Sequence, residues 1–138
     1  MYLGVDPGDT TGYAIFTDPQ NMKEWGHIKF DDMNDWIIGL PPGIKIIVIE
    51  SFQLFSHKAK QQSGSKMKAS QVIGMLKLYA KQIGAEVVEQ PPTIKAFAEK
   101  QSGLRPSGPH SNSHRIDAFN HCIYYFIKNN LMEVRTGE

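Results

Sequence analysis

Four side chains in this sequence stand where chemistry could be done. Asp6 closes an apolar run that begins at Tyr2, and Glu50 closes a longer one, Ile44-Lys45-Ile46-Ile47-Val48-Ile49. His114 and Asp117 are three residues apart at the head of a third apolar stretch. Carboxylates at strand ends lie at the lip of a sheet, where neighbouring strands bring them together. Gathered in one place they repel one another unless a cation lies between them. Hard oxygen ligands suit Mg²⁺, with Mn²⁺ able to substitute. Two such ions held by acids make a phosphodiester-cutting site. Each residue also has a plainer account. An Asp before Pro-Gly caps a turn, and an acid in the first turn of a helix answers the helix dipole.

The elements that must position these residues can be read from pattern. Tyr2 to Val5 are strand formers, and Tyr13 to Phe16 form a second apolar strand. Pro7, Gly8 and Gly12 mark a tight turn between them and supply its unusual backbone angles. Met22 to Phe30 reads as a third, antiparallel strand. Asp31 or Asp32 caps a short helix through Ile38, which Gly39-Leu40-Pro41-Pro42-Gly43 ends. Ile44 to Ile49 is apolar enough for a central strand buried on both faces.

Residues 51–65 are irregular and read as a loop over the site. Phe52 and Phe55 lie there, either packing the loop down or stacking on exposed bases. Residues 66–83 are helical, with Val72, Ile73, Leu76, Tyr79 and Ala80 on one face. Met67, Met75 and Leu78 widen the apolar surface, so this helix is either deeply buried or also faces a second subunit. Gly84 ends it. Ala85 to Glu89 is a fifth strand, parallel to the fourth because a helix crosses between them. Pro91-Pro92-Thr93 opens a helix from Ile94 to Gln101, where Lys95 is a phosphate contact or a plain surface lysine. Residues 103–112 form a turn-rich loop. The last helix runs from about Ser113 to Asn129, with Ile116, Phe119, Ile123, Phe126 and Ile127 as its core face. His121, four after Asp117, either joins the site or packs and hydrogen-bonds to Asp117.

Taken together, Gly4-Val5-Asp6-Pro7-Gly8 with Thr11-Gly12-Tyr13, then Val48-Ile49-Glu50, then His114-Arg115-Ile116-Asp117-Ala118 resemble the RuvC family of Holliday junction resolvases. The motifs stand in family order and span most of the chain. The resemblance implies an α/β RNase H-like fold: one five-stranded mixed sheet of order 3-2-1-4-5, with helices on both faces, as a single domain over residues 1–138. It implies Asp6, Glu50, His114 and Asp117 as catalytic and metal residues holding two Mg²⁺ ions per site, with Asp6 between them. It implies nicks leaving a 5′ phosphate and a 3′ hydroxyl, made in pairs across a four-way DNA junction by a homodimer joined through helix 66–83. An aromatic just after the second acid is also family-like. The connection at 102–113 departs from the pattern, since better-known members carry a further helix there. That brevity points to a phage-encoded member.

Bulk composition agrees with a nucleic-acid partner. The chain has 138 residues, enough for one domain with its own core. Residues 1–50 hold eight acids and three bases, a net of −5; residues 51–138 hold six acids and twelve bases, a net of +6. No acid occurs between Glu50 and Glu86, a stretch that contains Lys58, Lys60, Lys66 and Lys68. A basic stretch beside an acidic cluster suits a polyanion, because the acids alone would repel phosphate. Those lysines, with Lys95, Arg105 and Arg115, are the candidate DNA contacts. No apolar run is long enough to span a membrane. With no visible signal peptide and a single Cys122, the expected location is the cytoplasm.

Three other readings compete. A flap-cutting or RNA-processing nuclease would share these acids. An ATP-using enzyme of the actin and sugar-kinase type shares the Asp6 turn but needs two such domains. A non-catalytic DNA-binding module would gain nothing from carboxylates facing phosphate.

Overall fold

The computed structural model describes residues 1–51, 65–103 and 114–132, with backbone alone at 65 and 66. Five strands form one sheet: β1 (Tyr2–Asp6), β2 (Thr10–Asp18), β3 (Asn21–Lys29), β4 (Ile46–Glu50) and β5 (Glu86–Gln90). Among the described residues, four α-helices accompany it: α1 (Met33–Ile38), α2 (Ser65–Ile83), α3 (Ile94–Ser102) and α4 (His114–Lys128). The strand order is β3-β2-β1-β4-β5. The first three strands pair antiparallel, while β4 pairs parallel with both β1 and β5. This is the sheet the sequence predicts.

Alternation along the central strands sorts their side chains between two cores. Leu3, Val5, Ile47 and Ile49 point to one face, where they meet Met33, Ile37, Val72, Ile73, Leu76 and Ala80 of α1 and α2. Tyr2, Ala14 and Phe16 point to the other, against Ala98 of α3 and Phe119, Cys122, Ile123 and Phe126 of α4. Leu3, Val5, Ile47 and Ile49 are all fully enclosed, each contributing about 1.5–3 kcal/mol by burial. Phe126 anchors the second core edge-on to Tyr2 and Phe16, with ring centroids 5.0 and 5.1 Å away.

Two local expectations are corrected. The turn after β1 is only Pro7–Asp9, because β2 begins at Thr10, pairing with β3 along its length and with β1 from Gly12 to Phe16. Gly12 therefore lies inside a strand, and its φ is not positive. Its role is close approach: a Cβ there would stand 2.0 Å from the His114 carbonyl carbon and 2.2 Å from its oxygen. Gly4 does the same one turn of α4 further on, where a Cβ would meet the Ala118 carbonyl oxygen at 2.5 Å and Cys122 Sγ at 2.6 Å. Both glycines let α4 lie on the sheet. Second, Asp32 occupies the position before α1, yet neither it nor Asp31 caps the helix through its side chain. The helix is held instead by burial of Met33 and Ile37, with Trp36 packed on the Tyr13 ring at 5.0 Å. Gly84, at φ 75°, ends α2 as expected.

Candidate active site

Parallel pairing brings the acids together. Val5 stands opposite Ile49 across β1 and β4, so Asp6 and Glu50 are the next residues along. Glu50 in turn stands opposite Gln90 on β5. Three adjacent strands thus end in a row of polar side chains, on the face where α4 packs. From α4 come His114, Asp117 and His121. Spacings of three and four keep them on one stripe of that helix.

Asp6 is buried, at 3% exposure. Its Oδ2 lies 2.6 Å from His114 Nδ1. Ligand atoms of Asp6, His114 and Asp117 all fall within 4.8 Å of one another. Two carboxylates and an imidazole at that spacing fit a hard divalent ion of the Mg²⁺ or Mn²⁺ kind. The electrostatics agree. Burial pushes the Asp6 carboxyl up to about 7, with Glu50 adding to the rise and the His114 hydrogen bond opposing it. A carboxylate this reluctant to ionise becomes a good ligand once a cation shares its charge. The hydrogen bond to Asp6 raises His114 above its ordinary range, although burial opposes the shift.

Glu50 behaves oppositely. Burial alone would raise its carboxyl, but hydrogen bonds with His121, Asp6 and Lys95 hold it at about 2. His121 Nε2 lies 3.0 Å from Glu50 Oε1, and Lys95 Nζ lies 2.8 Å from the same oxygen. Lys95 also reaches Asp117 Oδ2 at 3.2 Å. The single charge of the Lys95 ammonium is therefore shared between Glu50 and Asp117. Burial would lower its pKa, but the two acids outweigh that and raise it.

All four side chains singled out for chemistry converge here, with Asp6, His114 and Asp117 at one pole and Glu50 at the other. Lys95 joins them in an ion pair rather than standing on open surface. Of the two readings of His121, the structure agrees with contact to the site: its nitrogens face Glu50 and Gln90, not Asp117. Gln90 escapes the sequence reading because the predicted fifth strand stops at Glu89. A signal is present all the same, since β5 ends in a polar residue just as β1 and β4 do. Lys68 pairs with Asp9 at 3.4 Å beside the β1–β2 turn. Arg115 stacks over Trp25 of β3, its guanidinium carbon 4.4 Å from the ring centroid. Phe52, Phe55, Lys58, Lys60, Arg105 and the Lys66 side chain lie outside the described residues.

This sheet order, with helices on both faces, is the RNase H-like fold, in its RuvC-like form. Two solved RuvC structures from Thermus thermophilus superpose on nearly the whole chain. One, in complex with Holliday junction substrate, matches at TM-score 0.63 and 12% identity, over 97% of this chain and 98% of that one. The other matches at TM-score 0.59 and 14% identity, over 97% and 99%. No family model and no curated protein matches the sequence.

Proposed function

We propose that this protein is a divalent-metal-dependent endonuclease that resolves four-way DNA junctions by paired nicks. The observation that carries the reading is the convergence of Asp6, His114 and Asp117 within 4.8 Å, beside Glu50, on a fold shared with a junction-bound resolvase. Asp6, Glu50, Asp117 and His114 would hold two Mg²⁺ ions, with Asp6 placed between the others. Ions held there would make a water nucleophile more acidic and offset charge on the leaving 3′ oxygen, which would leave a 5′ phosphate and a 3′ hydroxyl. The chain's own residues orient and balance these groups. His114 fixes the Asp6 carboxylate through the 2.6 Å hydrogen bond. Lys95 offsets the acids and brings a positive charge to the place where a scissile phosphate would enter. The basic stretch after Glu50 would follow the DNA backbone.

A two-fold junction calls for a two-fold enzyme. Helix α2 is the candidate seam, since Met67 and Leu78 on it are 60% and 59% exposed. Large apolar side chains left in water on a helix face are what a second copy would cover.

A gel assay tests the activity. Purified protein is incubated with labelled four-way junction, flap, duplex and RNA/DNA hybrid, with Mg²⁺, Mn²⁺ or EDTA. Metal-dependent paired nicks confined to the junction are expected. Asp6→Asn, Glu50→Gln and Asp117→Asn should each abolish them while junction binding survives. Cutting of flaps or hybrids instead would move the protein to another nuclease class on the same site. Binding without any cutting would make it a non-catalytic module.

A further inference from the structure

Among the described side chains around the site, His121 is one that the proposed chemistry leaves unused. It is fully buried. Burying an imidazole is costly unless its nitrogens are satisfied, and an aliphatic side chain would fill the space without that demand. Both nitrogens are engaged. Nε2 lies 3.0 Å from Glu50 Oε1 and donates to that carboxylate, and Nδ1 lies 2.9 Å from the Gln90 side-chain amide, which satisfies it by turning its N–H toward the ring. Gln90 is itself buried and stands opposite Glu50 in the β4–β5 pairing. A polar chain thus runs from β5 through α4 to the end of β4, inside the packed layer between sheet and helix.

The stereochemistry gives this chain a direction. His121 and Lys95 both take the same oxygen, Oε1, of Glu50. Two donors on one carboxylate oxygen fix the rotation of the group and leave Oε2 clear of both; the remaining partner of Glu50 is the Asp6 carboxyl, and a cation would replace the proton those two acids share. Lys95 does this from a side chain that is 24% exposed, on a long flexible stem. His121 does it from a position with little freedom to move, because its ring is held at both ends and enclosed by the packed layer.

We propose that His121, backed by Gln90, is a positioning residue that sets the Glu50 carboxylate for cation binding by holding Oε1 and presenting Oε2. The proposal rests on the metal-dependent reading above and adds a determinant of metal affinity to it. Partners that orient metal-binding carboxylates and imidazoles typically govern affinity by about 10- to 100-fold.

The test is Mn²⁺ binding to the full chain, measured by calorimetry without DNA, beside thermal melts of each variant. His121→Leu keeps the volume and removes the donor. It is expected to weaken Mn²⁺ binding by about 10- to 100-fold. His121→Gln can still donate to Glu50 and should recover most of the affinity, which a purely space-filling role would not predict. A folded His121→Leu that binds Mn²⁺ like wild type overturns the proposal. If that variant does not fold, the wild-type protein decides through imidazole ¹⁵N resonances during a Mg²⁺ titration. His121 signals that move together with saturation support the link to Glu50, and unmoved signals overturn it. Failure of the underlying reading looks different. A wild-type chain that binds no Mn²⁺ sinks both ideas. Loss of binding in Asp6→Asn with full binding in His121→Leu sinks this one alone.

Discussion

Asp6 shows how much one residue's surroundings decide. An aspartate in water titrates near 3.8, and this one is pushed up to about 7, chiefly by burial. The sign of its effect on stability follows. Between those two values the folded chain keeps a proton that the unfolded chain has lost, so stability falls as pH rises through that window. His114 acts in the same sense over a higher range. Its raised pKa gives stability that is complete below the ordinary 6.5 and is lost as pH climbs through the folded value. The two are hydrogen-bonded, so the fall belongs to the pair. Metal-free protein should therefore resist urea better at pH 5 than at pH 8. Adding Mg²⁺ at pH 8 should restore stability, because the cation takes the place of the proton. Asp6→Asn removes the charge and should flatten the dependence, gaining on the order of 1 kcal/mol or more over wild type at pH 8 without metal. Urea melts at the two pH values check this, and equal midpoints for wild type would contradict it.

At the scale of elements, the site depends on how closely α4 can lie on the β1–β2 pair. Gly12 is the narrowest point, since a methyl there would overlap the His114 backbone. Backbone yields less than a side-chain tip, so Gly12→Ala must push the start of α4 off the sheet. The expected cost is about 1–3 kcal/mol, with metal binding weakened more than stability, because His114 and Asp117 ride on the displaced turn. Gly74 is a natural control. It lies within α2, and a methyl placed on it would meet nothing within 4 Å. Gly74 shares the Met67–Leu78 face, so in protein kept monomeric by Leu78→Glu, Gly74→Ala should stabilise the chain by about 0.5–1 kcal/mol through helix propensity alone. Thermal melts and Mn²⁺ titrations of the two variants check the contrast.

The whole molecule separates charge by function. The first 50 residues carry a net of −5 and the remainder +6, so two of the site's acids come from a negative segment and all of the candidate DNA contacts from a positive one. Junction binding should weaken steeply with salt, with log Kd rising by about 0.9 per tenfold in salt for each phosphate neutralised against duplex arms. Binding isotherms at several salt concentrations measure the slope, and a flat dependence would count against the backbone contacts. Assembly is tested at the same scale. Leu78→Glu puts a charge into the exposed apolar face of α2 and should convert a dimer of about twice 15.5 kDa into a monomer in sedimentation. Paired nicking should then become single nicking.

The strands and helices are legible in the sequence because each carries its own period and its own punctuation. The apolar run to Glu50, the stripe from Ile116 to Ile127 and the glycine after Ile83 are local signals with local causes. Asp6, Glu50, His114 and Asp117 are legible for a related reason: each is polar at the end of an apolar element, where burial makes a charge expensive. What the sequence leaves open depends on contacts between distant segments. Lys95 reads equally as surface or site, because only α3 packing beside α4 brings it to both Glu50 and Asp117. For His121 the sequence offers the neighbour closest along the chain, Asp117, whereas the β4–β5 register sets Glu50 and Gln90 against its ring. Gly12 reads as a turn residue, and only the packing of α4 reveals that the missing side chain is space for another backbone. Periodicity and hydrophobicity act along the chain and can be read there; hydrogen-bond partners and close approach are set by register between elements, which tertiary structure alone decides.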